Sequence, residues 1–200
     1  MKELKHFEIG ESYGSNQDWF EDPWMNRGGC GAVTACDSCI YLAKYRNMRS
    51  LYPYDPNHVT KEDFVNFALT MKPFLSPRMH GINKTETFMD GFRDYLATCK
   101  DVTLRMCSLE GTEDFETAKN AIRSQIDRNY PVPYLMLLHT DEIFEDYNWH
   151  WFLVNGYDET PESFRIKAVT YGKGEWLNFA QLWNTGHEQK GGLVLYSESL

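Results

Sequence analysis

Apolar positions recur at helical spacing through the first part of the chain and give way to short continuous runs in the last part. Ala32, Cys36, Cys39 and Ala43 share one helical face, which predicts a helix from Gly31 or just after it to about Tyr45. Thr60 and Asp63 form a capping box ahead of the stripe Phe64, Phe67, Ala68 and Met71. Phe88, Phe92, Leu96 and Cys99 mark a further helix from about Thr85, and Phe115, Ala118, Ile122 and Ile126 another from Thr112. Residues 102–106 alternate as a strand does. Beyond residue 130 the runs 132–138, 149–154, 164–169 and 193–196 are bounded by Gly, Pro and Asp, as in an antiparallel sheet. Helices first and strands second predict an α+β domain in two layers, spanning 1–200 as one unit with the first helix in the helical layer. Residues 7–29, rich in aromatics, acids and amides, read as an irregular lead-in.

Composition narrows the function. The chain has 200 residues, 42% hydrophobic, so it can bury a sizeable core. With 20 basic and 29 acidic residues the net charge is −9, which argues against nucleic acid or an anionic membrane as the main partner. The N-terminal residues Met1 to Phe7 contain no apolar run, and no stretch is long enough to span a bilayer, so a soluble cytoplasmic protein is expected. Five cysteines is an odd number, which disfavours a disulfide framework. Cys36 and Cys39 have the spacing of a metal or redox pair but lie within a helix, and no second pair accompanies them, so neither metal nor cofactor is expected. Nothing in the pattern speaks to oligomeric state.

The candidate chemistry centres on Gly28-Gly29-Cys30-Gly31-Ala32. Cys30 falls where a helix begins, and the free N–H groups and dipole there favour a thiolate by roughly 0.3–1 kcal/mol, up to ~2 when partly buried, or about one pKa unit. Full activation needs a base. His150, between Trp149 and Trp151 at the start of an apolar strand, is in a costly position for an imidazole without a partner and is the chosen base. His139, at a strand end beside an acidic loop, reads as a surface residue, and His6, His58, His80 and His187 as solvated. Gln17 and Asn26 are the candidate oxyanion donors. Cys36, Cys39, Cys99 and Cys107 are expected to be unpaired and inert, with Cys30 reacting first. Asp141, Glu142, Glu145 and Asp146 lie between the strands of His139 and His150 with no basic residue among them, and form either a solvated loop or a wall that steers cationic substrates.

Gly-Cys30-Gly-Ala opening a helix, Tyr130-Pro131-Val132 leading a strand, and His150-Trp-Phe-Leu-Val-Asn-Gly156-Tyr-Asp together resemble the bacterial C39-like cysteine peptidases of the papain-like fold. The resemblance implies a Cys30 nucleophile, a His150 base, a Gln17 oxyanion donor, and an Asp or Asn that orients the imidazole. The last would fall on Val169, which accepts no hydrogen bond; Thr170 serves only if the register shifts by one, which turns a strand residue to the other face. The expected function is thiol-dependent hydrolysis of a peptide or other amide substrate. An acyltransferase on the same pair, or a binding module that keeps the fold, are the alternatives.

Overall fold

A computed structural model of the protein describes residues 1–79 and 81–198. Side-chain caps start most of the helices. Asp22 accepts from the N–H groups of Trp24 and Met25 and opens α1 (Pro23–Gly28), with Pro23 in the first turn. Thr60 accepts from the Asp63 N–H ahead of α3 (Lys61–Met71), Asp114 caps α5 (Phe115–Asp127), and Asn178 caps α6 (Phe179–Trp183). The two helices without a side-chain cap are α2 (Cys30–Tyr45) and α4 (Thr85–Leu96). α2 is buried all round from Cys30 to Ala43, as befits a helix at the centre of a domain.

Among the described residues, seven strands form one antiparallel sheet. Its order is β4 (Leu104–Glu110), β9 (Gly192–Glu198), β5 (Val132–Met136), β6 (His150–Glu159), β7 (Phe164–Thr170) and β8 (Lys173–Asn178), while β1 (Lys2–Glu3) pairs with the far half of β6. A small hairpin of β2 (Glu8–Ile9) and β3 (Ser12–Tyr13) stands apart. No helix among the described residues is long and apolar enough to cross a membrane.

The pleat sorts the packing. Trp151 stacks on Phe88 of α4 with ring centroids 4.3 Å apart and donates to the Ile82 carbonyl at 2.6 Å. Its neighbour Phe152 points the other way, onto Tyr134 and Tyr147, and Tyr134 in turn touches Phe179 and Trp183 of α6. Helices therefore stand on both faces of the sheet, and the expected two-layer arrangement becomes three. Tryptophan and phenylalanine side chains of this size each contribute about 1.5–3 kcal/mol through burial, so both faces carry core.

Three further differences from the sequence reading have local causes. The lead-in is partly ordered: it holds the β2–β3 hairpin and α1, and the Asp22-Pro23 pair was the signal for α1. β8 and α6 were not anticipated because β8 lies at the sheet edge, where its first three residues are exposed and no apolar alternation arises. β6 runs on to Glu159, held there by β1 and β7.

Candidate active site

Two glycines set the start of α2, because no side chain fits there. A Cβ on Gly28 would lie 2.8 Å from the Arg78 carbonyl oxygen, and one on Gly29 only 2.4 Å from that of Met25. The chain turns from α1 directly into α2, with the Gly29 N–H donating to Met25, and Cys30 becomes the first helical residue. Its thiol donates to the Trp149 carbonyl oxygen at 4.0 Å, and the backbone N–H groups of Trp151, Gly31 and Cys30 lie near enough to favour its thiolate. The thiol thus rests against the peptide groups on both sides of His150.

His150 begins β6, where its Nε2 lies 2.7 Å from Thr170 Oγ1 at the end of β7. Its ring stacks on Tyr171, centroids 4.9 Å and planes 7° apart. Among the described residues, no hydrogen bond joins imidazole to sulfur in this resting arrangement.

A β-bulge explains why Thr170 faces His150 and Val169 does not. From Glu159 to Gly156 the strands pair as Glu159 with Phe164 through Gly156 with Lys167; beyond it, Val154 pairs with Ala168 and Leu153 with Val169. Regular continuation would have set Val154 opposite Val169 and put His150 on the Val169 face. The bulge absorbs Asn155, so His150, Phe152 and Val154 share a face with Ala168 and Thr170. Asn155 is fully buried, with its amide donating to the Tyr13 hydroxyl at 2.9 Å and its carbonyl accepting the Leu4 N–H at 2.8 Å. The sequence signal was Asn155-Gly156 inside an apolar strand.

Backbone strain gathers at the same point. Among the described residues with positive φ, Trp149 (53°) and Tyr171 (50°) are the ones that are neither Gly, Asn nor Asp. Each such conformation costs on the order of 1–3 kcal/mol and persists where surrounding structure enforces it, commonly at functional sites. Trp149 immediately precedes His150 and Tyr171 immediately follows Thr170.

Burial dominates the ionisation of the pair. It pushes the Cys30 thiol up, against the opposing pull of the Trp151, Gly31 and Cys30 N–H groups, and it lowers His150 from 6.5 to about 4. The expected helix effect is present but smaller than the desolvation of a thiol in a residue 3% exposed. At neutral pH the resting pair is therefore neutral thiol and neutral imidazole.

No model of a known protein family matches the chain, and a search among curated proteins returns no match.

The other residues singled out by the sequence have varied settings. Gln17 is buried and donates its amide to the Asn26 carbonyl at 2.7 Å, which ties it to the helix that delivers Cys30. Its amide nitrogen keeps a second N–H. Asn26 itself is exposed, with its side chain directed to the Phe20 carbonyl. Asp141 caps a 3-10 turn, Glu142–Tyr147, that is pinned by buried Phe144 and Tyr147. Glu142, Glu145 and Asp146 are exposed, and Asp146 borders a cleft beside Thr170. His139 uses both nitrogens structurally, bonding Gln181 and the Asp141 N–H. His6 is not solvated as expected: both ring nitrogens are buried without partners. His58 is exposed and His187 half-buried, while His80 lies outside the described residues. Among the described residues, no group of three or more His, Cys, Asp or Glu could hold a metal ion.

All five cysteines are free, and their exposure predicts an order of reactivity other than the one expected from the sequence. Cys107 is exposed on β4, whereas Cys30 is buried, and burial pushes Cys36 and Cys39 well up. Alkylation needs both access and thiolate. In native protein treated with iodoacetamide near pH 7.5, peptide mapping should find Cys107 labelled before Cys30, and Cys36 and Cys39 last. Labelling of Cys30 ahead of Cys107 would show that the resting thiol is already activated.

Proposed function

We propose that this chain is a thiol-dependent hydrolase with a papain-like site, similar to the C39-like cysteine peptidases, that cleaves a peptide or other amide bond. The contact of the Cys30 sulfur, at a helix N-terminus, with the peptides flanking a histidine whose far nitrogen is held by Thr170 carries this reading. With Nε2 engaged, Nδ1 is left to take the thiol proton as sulfur attacks the substrate carbonyl carbon. Because both partners rest neutral, that transfer accompanies the attack. The oxyanion is stabilised by the Cys30 N–H and the second N–H of the Gln17 amide. Collapse expels the amine with the proton from His150, and a water deprotonated by His150 then cleaves the thioester, restoring the thiol.

Incubation with a diverse peptide mixture, read by mass spectrometry, tests this. Products formed by the wild type should fall by about 10³-fold or more in both Cys30→Ala and His150→Ala. Cleavage that survives Cys30→Ala, or no cleavage of any peptide by the wild type, would count against the hydrolase.

A further inference from the structure

Beside the His150–Thr170 pair the sheet face opens into a cleft of about 380 Å³, floored by Ala168 and Thr170 and walled by Tyr147, Tyr171, Asp146 and Glu175. Glu175 shares the floor's face because it pairs with Ala168 across the β7–β8 ladder. The buried Tyr147 donates its hydroxyl to Glu175 Oε2 at 2.9 Å, which fixes that carboxylate on the wall and leaves Oε1 for a ligand. Tyr171 connects the cleft to the dyad, since its ring is stacked on His150.

The sign of the field follows from the two hydroxyls. Burial raises Tyr147, with Glu175 and Asp146 adding to it. Tyr171 is raised to about 12 by burial, then by Cys30 once that thiol ionises at high pH, and by the charges of Asp18 and Asp146. Lys173 also borders the cleft, one ammonium against the two carboxylates of Asp146 and Glu175. The charge bordering the cleft is therefore net negative.

We propose that this cleft is a specificity subsite for a cationic side chain of the substrate, arginine or lysine, seated between Asp146 and Glu175. Its place beside a reacting bond rests on the thiol-hydrolase reading, but its occupancy does not require chemistry. A cleft of this volume suits one long side chain, and two exposed carboxylates each contribute up to about 1 kcal/mol to a cation, together about tenfold in affinity.

Full-length Cys30→Ala protein, which cannot react, is titrated with Nα-acetyl-arginine amide and with its neutral isostere Nα-acetyl-citrulline amide, followed by NMR at low salt. The arginine compound should bind about tenfold more tightly and shift the Tyr147 and Tyr171 signals. The preference should vanish in Asp146→Asn/Glu175→Gln, where the introduced amide oxygen still accepts from Tyr147 and an unchanged melting temperature reports an intact fold. Equal binding of the two compounds, binding of neither, or a preference that survives the double substitution overturns the subsite. Each of these outcomes leaves the peptide-cleavage test of the dyad standing.

Discussion

Replacing Thr170 by valine is expected to lower peptide cleavage by roughly 10²- to 10⁴-fold, chiefly in kcat, because an unheld imidazole loses its tautomer and ring angle. Valine matches threonine in shape but removes the oxygen 2.7 Å from His150 Nε2, leaving a buried ring nitrogen unpaired at a cost of about 1–3 kcal/mol. Thr170→Ser should restore most of the loss. The decisive variant exchanges the two neighbours, Val169→Thr with Thr170→Val. It should stay as impaired as Thr170→Val alone, because residue 169 points to the opposite face, where a Cβ on Gly14 would sit 3.2 Å from its side chain. A measurement that does not depend on turnover is the nitrogen NMR of the His150 ring, whose Nε2 signal should move in Thr170→Val and return in Thr170→Ser. An active exchange variant, or an unmoved ring signal, would remove Thr170 from the site.

The second large effect is loss of stability in mild acid. Burial lowers His150 from 6.5 to about 4, and burial, then Lys167 and Lys44, lowers His6 from 6.5 to about 3. Burial raises Asp37 from 3.8 to about 7. Between pH 6.5 and 4.5 the unfolded chain therefore takes up protons on both imidazoles, while the native chain holds one on Asp37. The unfolded state binds one proton more, so stability falls as pH falls, by about 1.4 kcal/mol per unit. Urea titrations at pH 6.5 and 4.5 should differ by about 2 kcal/mol in extrapolated stability, since the unfolded imidazoles are only half protonated at the upper pH. Asp37→Asn removes the opposing carboxyl and should roughly double the slope, whereas His6→Phe should bring it close to zero. Stability that is flat or rises on acidification in the wild type would contradict the burial of these imidazoles.

Much of the scaffold was legible along the chain because it depends on local chemistry. The stripes Phe64, Phe67, Ala68, Met71 and Phe115, Ala118, Ile122, Ile126 lie on the helices they predicted, and of these Phe115 alone is not fully buried. Thr60 caps the helix its box announced, and α2 ends at Tyr45. The Gly-Gly-Cys turn placed Cys30 at a helix start because glycine is the residue that tolerates such backbone contact. These features need no knowledge of distant residues.

What only the tertiary structure decided is pairing, register and burial. Helix stripes reveal that a face is apolar but not which face of a sheet receives it, so α6 on the far side and the edge strand β8 could not be read from the pattern. The choice between Val169 and Thr170 turns on one bulged residue, Asn155, held by Leu4 and Tyr13 from the other end of the chain. The ionisation of Cys30 turns on desolvation by groups remote in sequence, which outweighs the helix terminus that sequence alone suggested. Local propensity determined where a helix-starting cysteine and a strand-opening histidine stand along the chain. Long-range packing decided that the sulfur of one meets the peptides around the other, and that both rest uncharged.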